Sequence, residues 1–265
     1  MGRTKDSMFA EERQHMIVEL VNREVTATVE ALCDHFHVSP ATIRSDLREL
    51  EDRGLLKRTH GGAISNSRAG FEPDSYQKEI ARIAEKRAIA LEAVRRIRDG
   101  DTIALDTGTT VFELAQLLPR FRDLTVVTND MQIASFLERE SSAHILLAGG
   151  MIRTNFHCTV GPLTLSSLEG LNVDKAFIAC NGITLKSGVT TPNMDLARVK
   201  ERLIAIASEA YLLADSSKLG KTSFVQFGAV QHFAALITDS GIDPADVQAI
   251  TEAGVQVLLA QADSQ

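Results

Sequence analysis

"HVSPATIRSDLRELEDRGLL", residues 37–56, is the best-bounded stretch of the chain, and its reading decides how the first sixty-odd residues fold. Ser39 is a good N-cap, Pro40 suits the first helical position, where its missing N–H costs nothing, and Gly54 can supply the left-handed residue that ends a helix. At about 100° per residue, Ile43, Leu47 and Leu50 make one apolar stripe. Ala41, Arg44, Ser45 and Arg48 share a different side, and Asp46 and Glu49 lie on a third. Basic and acidic groups are therefore sorted rather than mixed.

Working outward, Met16, Ile17, Leu20 and Val21 fall at helical spacing within 11–21, and a second short helix is expected over 29–35, with Ala31, Leu32 and Phe36 inward. Two short helices joined by a tight turn to a capped helix with a small donor face are the parts of a helix-turn-helix, whose second helix enters the major groove. Arg44 or Arg48 can hold guanine bidentately, while Thr42 and Ser45 suit phosphate or base-edge contacts. Downstream, LLKRTHGGAI offers two extended stretches around Gly61 and Gly62, with Lys57 and Arg58 beside the turn, as in a wing that touches a phosphate backbone. His37 stands in the turn before the capped helix; if that position needs positive φ, His is tolerated less well than Gly. The "HFH" of 35–37 has no third ligand nearby and is not read as a metal site.

Composition sets limits on this reading. The net charge of −7 repels nucleic acid at long range, so a DNA-binding assignment must rest on local geometry. No apolar run approaches the roughly 18 residues that span a bilayer. The opening MGRTKDSMFAEERQ has basic residues but no following apolar stretch, which makes a cytoplasmic protein the expectation. Cys33, Cys158 and Cys180 are odd in number and widely spaced, which argues for reduced core thiols over disulfides or zinc.

The polar, Gly-containing segment SNSRAGFEP ends in Pro and marks a linker over 65–74, between a DNA-binding domain over 1–64 and a larger domain over 75–265. A long helix is expected over 75–98, with Ile80, Ile83, Ala84, Ala90, Leu91, Val94 and Ile97 inward. Seven short apolar runs then alternate with helical stretches: TIALD (102–106), LTVVT (124–128), HILLAG (144–149), KAFIAC (175–180), YLLAD (211–215), FAALIT (233–238) and VQVLL (255–259). Such runs are expected of strands buried on both faces, and the alternation indicates a mostly parallel α/β sheet. Ligands in that architecture bind beyond the carboxyl ends of the strands.

The first such end is Asp106-Thr107-Gly108-Thr109-Thr110, a strand-to-helix loop whose N–H groups and hydroxyls can cradle a phosphate, although a capping turn with no ligand has the same look. Other ends carry Asn129, Gly149 and Gly150, Asn181 and Gly182, and Ser217 and Lys218. Lys218, Arg153 and Lys200 can supply the positive charge that a phosphate needs in an acidic protein.

Through "ATIRSDLRELEDRGLLKRTHGGAI" at 41–64 the chain resembles the DeoR family of bacterial transcription regulators. The stretches DTGTT, VVTND, LAGG, TVGP, VTTPNMDLARVK and LLADSSKLG are similar to the carboxyl-terminal domain of that family, so the likeness covers most of the chain. It implies that Thr42, Arg44, Ser45 and Arg48 face operator DNA, with Ser39, Pro40 and Ala41 at the helix start on the same surface and Lys57, Arg58 and His60 on or near the wing. It also implies a winged helix-turn-helix joined to a sensor domain for phosphorylated sugars or related metabolites, with a fold like that of ribose-5-phosphate isomerase. Asp195 belongs to the expected effector site, standing where many relatives have Glu; Asn181 stands where Asp is common.

That fold likeness keeps a sugar-phosphate isomerase in view as an alternative. An isomerase needs a carboxylate against its substrate to move a proton between carbons. The comparable stretch, residues 178–183, has none, and Asn181 can hydrogen-bond a sugar hydroxyl but cannot cycle a proton. Asp106 fits better as a sugar-hydroxyl acceptor or turn-former. The expectation is a non-enzymatic repressor of a carbohydrate catabolic operon, released by its effector, without cofactor, metal or membrane partner, and acting as a homodimer or homotetramer. A ligand that strengthens DNA binding, giving activation or corepression, is the other regulator reading.

Overall fold

The computed structural model describes residues 10–24, 26–65 and 72–261. The chain divides into two compact units between Pro73 and Asp74. Most of the expected linker, residues 66–71, lies outside the described residues.

The first unit contains α1 (Ala10–Glu24), β1 (Thr26–Thr28), α2 (Val29–Phe36), α3 (Pro40–Asp52), β2 (Leu56–Thr59) and β3 (Gly62–Ser65). Its core joins Ile17, Leu20 and Val21 of α1, Leu32 and Phe36 of α2, and Ile43, Leu47 and Leu50 of α3, in agreement with the helical spacing. Ala31, expected inward, is exposed, and Cys33 packs against the core on that helix instead. The turn between α2 and α3 places His37 at φ 55°, the left-handed conformation. Replacing His37 with Gly is expected to stabilise this unit by up to about 1 kcal/mol, read from its unfolding transition in the full chain.

The strands β2 and β3 form the expected hairpin, and β1, which no periodicity announces, adds to it antiparallel in the order β1-β3-β2. Gly62 is required there because a Cβ would stand 2.0 Å from the Ala27 carbonyl oxygen of β1. The hairpin turns at His60 and Gly61 and leaves the side chains of Lys57, on β2, and His60, in the turn, exposed.

In the second unit the expected long helix is broken into α4 (Ser75–Ile80) and α5 (Ile83–Ala93), because Arg82 takes φ 51°. The break resets the helical phase, so Ile80, Ile83 and Ala84 are exposed while Ala88, Ile89, Ala90, Ala93, Val94 and Ile97 are buried. There follow β4 (Thr102–Leu105), α6 (Thr109–Ala115), β5 (Thr125–Thr128), α7 (Met131–Glu140), β6 (His144–Leu147), the hairpin β7 (Met151–Arg153) and β8 (Cys158–Val160), and α8 (Pro162–Ser167). The chain continues through β9 (Val173–Ala179), β10 (Gly182–Thr184), β11 (Gly188–Thr191), α9 (Met194–Ala205), β12 (Ala207–Leu213), β13 (Val225–Gly228), β14 (Ala235–Asp239), α10 (Pro244–Glu252) and β15 (Gln256–Ala260).

All seven apolar runs are strands of one parallel sheet, in the order β15-β14-β12-β9-β4-β5-β6. Burial on both faces is visible in the alternation. Ala104, Ala176, Ile178 and Leu212 enter one core with α9 and α10, whereas Ile103, Leu105, Phe177, Tyr211 and Leu213 enter the other with α5, α6 and α7. The run 144–149 departs from this pattern: as the edge strand β6 it leaves His144, Leu146 and Leu147 exposed. A small antiparallel sheet, β10-β11-β13, rises beside the main one. Because the main sheet is parallel, its strands deliver residues 106–110, 128–130, 148–150, 180–182 and 214–218 to one rim.

Candidate functional site

On the first unit, the α3 surface is built by local capping. The Ser39 side chain accepts from the Thr42 amide at 3.2 Å and its hydroxyl lies 2.9 Å from that of Thr42. Ser39, Pro40, Ala41, Arg44, Ser45 and Arg48 are exposed and Thr42 is half-buried, so one polar face with two guanidinium groups stands free of the core. On the hairpin Lys57 and His60 are exposed, while Arg58 is half-buried and tied to α3: its amide donates to Glu51 at 2.8 Å, and its guanidinium lies 3.7 Å from the same carboxylate.

Of the two acids that helical spacing puts on a third sector, Asp46 is buried and faces α1, while Glu49 is exposed. The Arg13 guanidinium donates to its two oxygens at 2.6 and 3.1 Å, and hydrogen bonding to Asp46 raises the Arg13 pKa above its ordinary value. This acid of α3 is therefore paired inside the unit, away from the exposed face that carries Arg44 and Arg48.

On the second unit, the loop after β4 converges with the ends of β5, β9 and β12. Gly108 has φ 138°, and a Cβ on it would lie 3.3 Å from that of Ala179 at the end of β9. Asp106 and Lys200, expected as separate effector contacts, are paired with each other. Lys200 Nζ, buried on α9, donates to Asp106 Oδ2 and to the Ala179 carbonyl at 3.0 Å, while the Ala179 amide donates to Asp106 Oδ2 at 2.9 Å. The second oxygen, Asp106 Oδ1, is buried and makes no hydrogen bond.

Thr107 donates to Asp130 Oδ2 at 2.6 Å, and Asp130 Oδ1 caps α7 by accepting from Gln132 and Ile133 amides at 2.9 and 3.0 Å. Burial, opposed by these bonds, raises the Asp130 pKa. Asn129 is buried; its Nδ2 donates to the Thr159 carbonyl at 2.9 Å and its Oδ1 makes no hydrogen bond. Thr109 is half-buried and Thr110 buried at the start of α6. Gly149 and Gly150 are exposed, but a Cβ on Gly150 would collide with Thr164, so the chain can only turn there with glycine. The Arg153 guanidinium stacks 3.7 Å above the Phe156 ring, beside Cys158.

Asn181 Oδ1 accepts from the Thr191 hydroxyl at 3.1 Å, and Gly182 is packed against the Lys221 carbonyl. Ser217 and Lys218 lie half-buried in a short turn whose Asp215 accepts from the Ser217 amide at 3.0 Å and lies 3.7 Å from Lys218 Nζ. Asp195 is exposed in the first turn of α9, about 140° around the helix from Lys200, so the two do not share a face.

Two cations that the sequence pattern did not single out belong to this rim. Arg82 lies 3.1 Å from Asp215 and 3.5 Å from Asp239, and donates to the Ser216 hydroxyl at 3.0 Å. Lys86 is buried on α5, and its Nζ donates to the Lys78 carbonyl. Burial, then the like charge of Lys218, lowers its pKa to about 8. Cys180 sits in the field of Lys218, Lys200, Asp215 and Asp106, and burial pushes its thiol up to about 12, where it stays protonated and unreactive at neutral pH. Among the described residues no group of His, Cys, Asp and Glu is placed to hold a metal ion, and no helix is long and apolar enough to cross a membrane.

Comparison with known proteins follows the same division of the chain. The DeoR-like helix-turn-helix domain matches residues 13–69, and the DeoR C terminal sensor domain matches residues 81–240. The chain is 42% identical over 251 residues to the HTH-type transcriptional regulator GlpR of Haloferax volcanii, covering 95% of this chain and 98% of that one. It is 36% identical over 233 residues to a lactose phosphotransferase system repressor of Staphylococcus epidermidis, covering 86% and 92%. Among solved structures it is similar to ribose 5-phosphate isomerase A from Methanocaldococcus jannaschii, at 18% identity and a TM-score of 0.38 over 51% of this chain and 53% of that one.

Proposed function

This chain belongs to the DeoR family of helix-turn-helix transcriptional regulators, and on that premise we propose that it represses a carbohydrate catabolic operon and is released by a phosphorylated sugar or sugar acid bound at the rim of the parallel sheet. Relatives named as regulators or repressors of sugar systems support the reading. The observation that carries it is a pair of buried acceptors at the strand-end rim, Asp106 Oδ1 and Asn129 Oδ1, which make no hydrogen bond where the loop of Thr107 to Thr110 begins α6. A phosphate dianion at that rim meets the hydroxyls and N–H groups of Thr107 to Thr110, with Lys218 on the turn after β12 as a cation of the same rim. The acceptors left without donors, Asp106 Oδ1 and Asn129 Oδ1, suit sugar hydroxyls.

The same rim is poorly equipped for catalysis. Asp106 is held by Lys200, Asp130 by Thr107 and the α7 amides, and the β9 end offers Asn181 where proton transfer needs a carboxylate. In the cytoplasm, a dimer or tetramer places two winged units on repeated half-sites about one helical turn apart. The effector loosens that paired contact with a coupling of about 1–3 kcal/mol.

A thermal-shift screen of phosphorylated sugars tests the proposal: a ligand at 100 times its Kd stabilises the fold by about 2.7 kcal/mol. Thr109→Glu puts negative charge in the loop, so that variant is expected to bind operator DNA normally and ignore the compound found. A normal response would remove the loop from the site.

Lys86 adds a pH signature. Its folded pKa of about 8 lies below its ordinary 10.5, so between these values the unfolded chain holds more protons and stability rises with pH. Lys86→Met is expected to raise the melting temperature of the second unit at pH 7, with the gain fading toward pH 10. A gain that does not change with pH would contradict a buried charge there.

A further inference from the structure

Among the described residues of the first unit, a hydrogen-bonded cluster around Arg13, Gln14 and Asp46 lies away from the exposed face of α3 that carries Arg44 and Arg48, yet it fixes that helix. Arg13 of α1 grips Asp46 of α3 through two atoms at 2.6 and 3.1 Å, and both residues are buried. Gln14, also buried, donates to Asp46 at 3.3 Å and to Glu49 at 2.8 Å, and its own carbonyl oxygen accepts from Arg53 at 3.2 Å. Two successive turns of α3, at Asp46 and Glu49, and the C-cap residue Arg53 are thereby tied to one turn of α1.

Apolar contacts along Ile43, Leu47 and Leu50 hold α3 against the core, but such packing is non-directional and tolerates small rotations about the helix axis. A two-point guanidinium–carboxylate contact does not, because its fork geometry is fixed. The effect reaches the arginines. At a radius of about 6 Å, a rotation of roughly 20° carries a side-chain tip by about 2 Å, enough to break a bidentate contact to a base edge. A buried ion pair is seldom more stabilising than apolar residues of the same volume, so stability alone does not account for this one.

We propose that Arg13 and Asp46, bridged by Gln14, are positioning residues for DNA recognition: they set the rotation of α3, and with it which base edges Arg44 and Arg48 reach. The proposal rests on the reading of α3 as the recognition helix. It assigns to this cluster the preference for operator over other sequences, not the strength of phosphate binding.

The test uses the full chain and the duplex that it enriches from a random pool, with the affinity ratio of that duplex to random duplex as readout and thermal melting as control. The double variant Arg13→Met, Asp46→Leu fills the same space without charge. It is expected to melt at the wild-type temperature or above, to bind random duplex as before, and to lose about 10-fold or more of the ratio. Arg13→Lys keeps the charge but loses the fork, and is expected to lose part of the ratio while remaining folded, so it decides the matter if the double variant does not fold. A wild-type ratio in either folded variant overturns the proposal. Arg44→Ala separates the two levels of the argument: if that variant keeps the preference, the recognition-helix reading fails, and the proposal fails with it.

Discussion

Alanine at both Arg44 and Arg48 is expected to remove operator binding while leaving the rest of the chain intact. Both side chains are exposed on the capped helix, and neither is needed by the core of Ile43, Leu47 and Leu50. Each bidentate contact to a guanine is worth about 1–3 kcal/mol, so the pair contributes about 2–6 kcal/mol, from tens-fold to more than a thousandfold in affinity. A gel-shift titration at fixed salt checks this, since the phosphate contacts expected at Lys57 and on the wing depend on salt and would survive the change. Unchanged affinity would mean that another surface reads the duplex.

The second large effect is on stability. Lys200→Met leaves the Asp106 carboxylate buried with the Ala179 amide as its remaining donor, and breaking a buried pair on one side costs about 3–5 kcal/mol. For a unit of this size that lowers the melting temperature by roughly 10 °C, in the transition of the second unit and not the first. Asp106→Asn in the same chain is expected to recover much of the loss, since a neutral amide has no charge to leave uncompensated. A Lys200→Met chain with wild-type melting would show that the pair does not hold the ends of β4 and β9 to α9.

These two expectations differ in how far they were legible from sequence. The recognition helix announces itself because its signals are local: a Ser cap, a Pro in the first turn, a Gly after the end and an apolar stripe all fall within twenty residues. The parallel sheet is legible for a related reason, since strands buried on both faces must be apolar throughout, and all seven runs became strands. Strand β1 carries no such signal. Three residues, Thr26 to Thr28, become a strand only because β3 passes beside them.

Charged residues were the hardest to place, because their burial is decided by partners far along the chain. Helical spacing puts Asp46 with Glu49 on a sector of its own, and only Arg13, 33 residues away, decides that it is buried. Asp106 and Lys200, 94 residues apart, were read as two ligand contacts and are one ion pair. The helix break at Arg82 is equally non-local. Its left-handed backbone accompanies ion pairs with Asp215 and Asp239, and nothing in the sequence around it marks a stop. Lys86 went unnoticed because a lysine in a helix is ordinarily a solvated one. For the expected effector site, sequence conveyed which loops share one rim, at the strand ends that every parallel sheet offers a ligand.

The central claim is that one chain reads a duplex with α3 and senses a phosphorylated sugar at the sheet rim. A single fluorescence-anisotropy titration, with labelled operator and random duplex at one salt concentration and with or without the compound found by thermal shift, tests it most directly. The account predicts that operator is held at least about 1,000-fold more tightly than random duplex and is released 5- to 150-fold by the compound. Equal affinity for the two duplexes, or consumption of the compound during the titration at the roughly 10 turnovers per second of an ordinary enzyme, would contradict it.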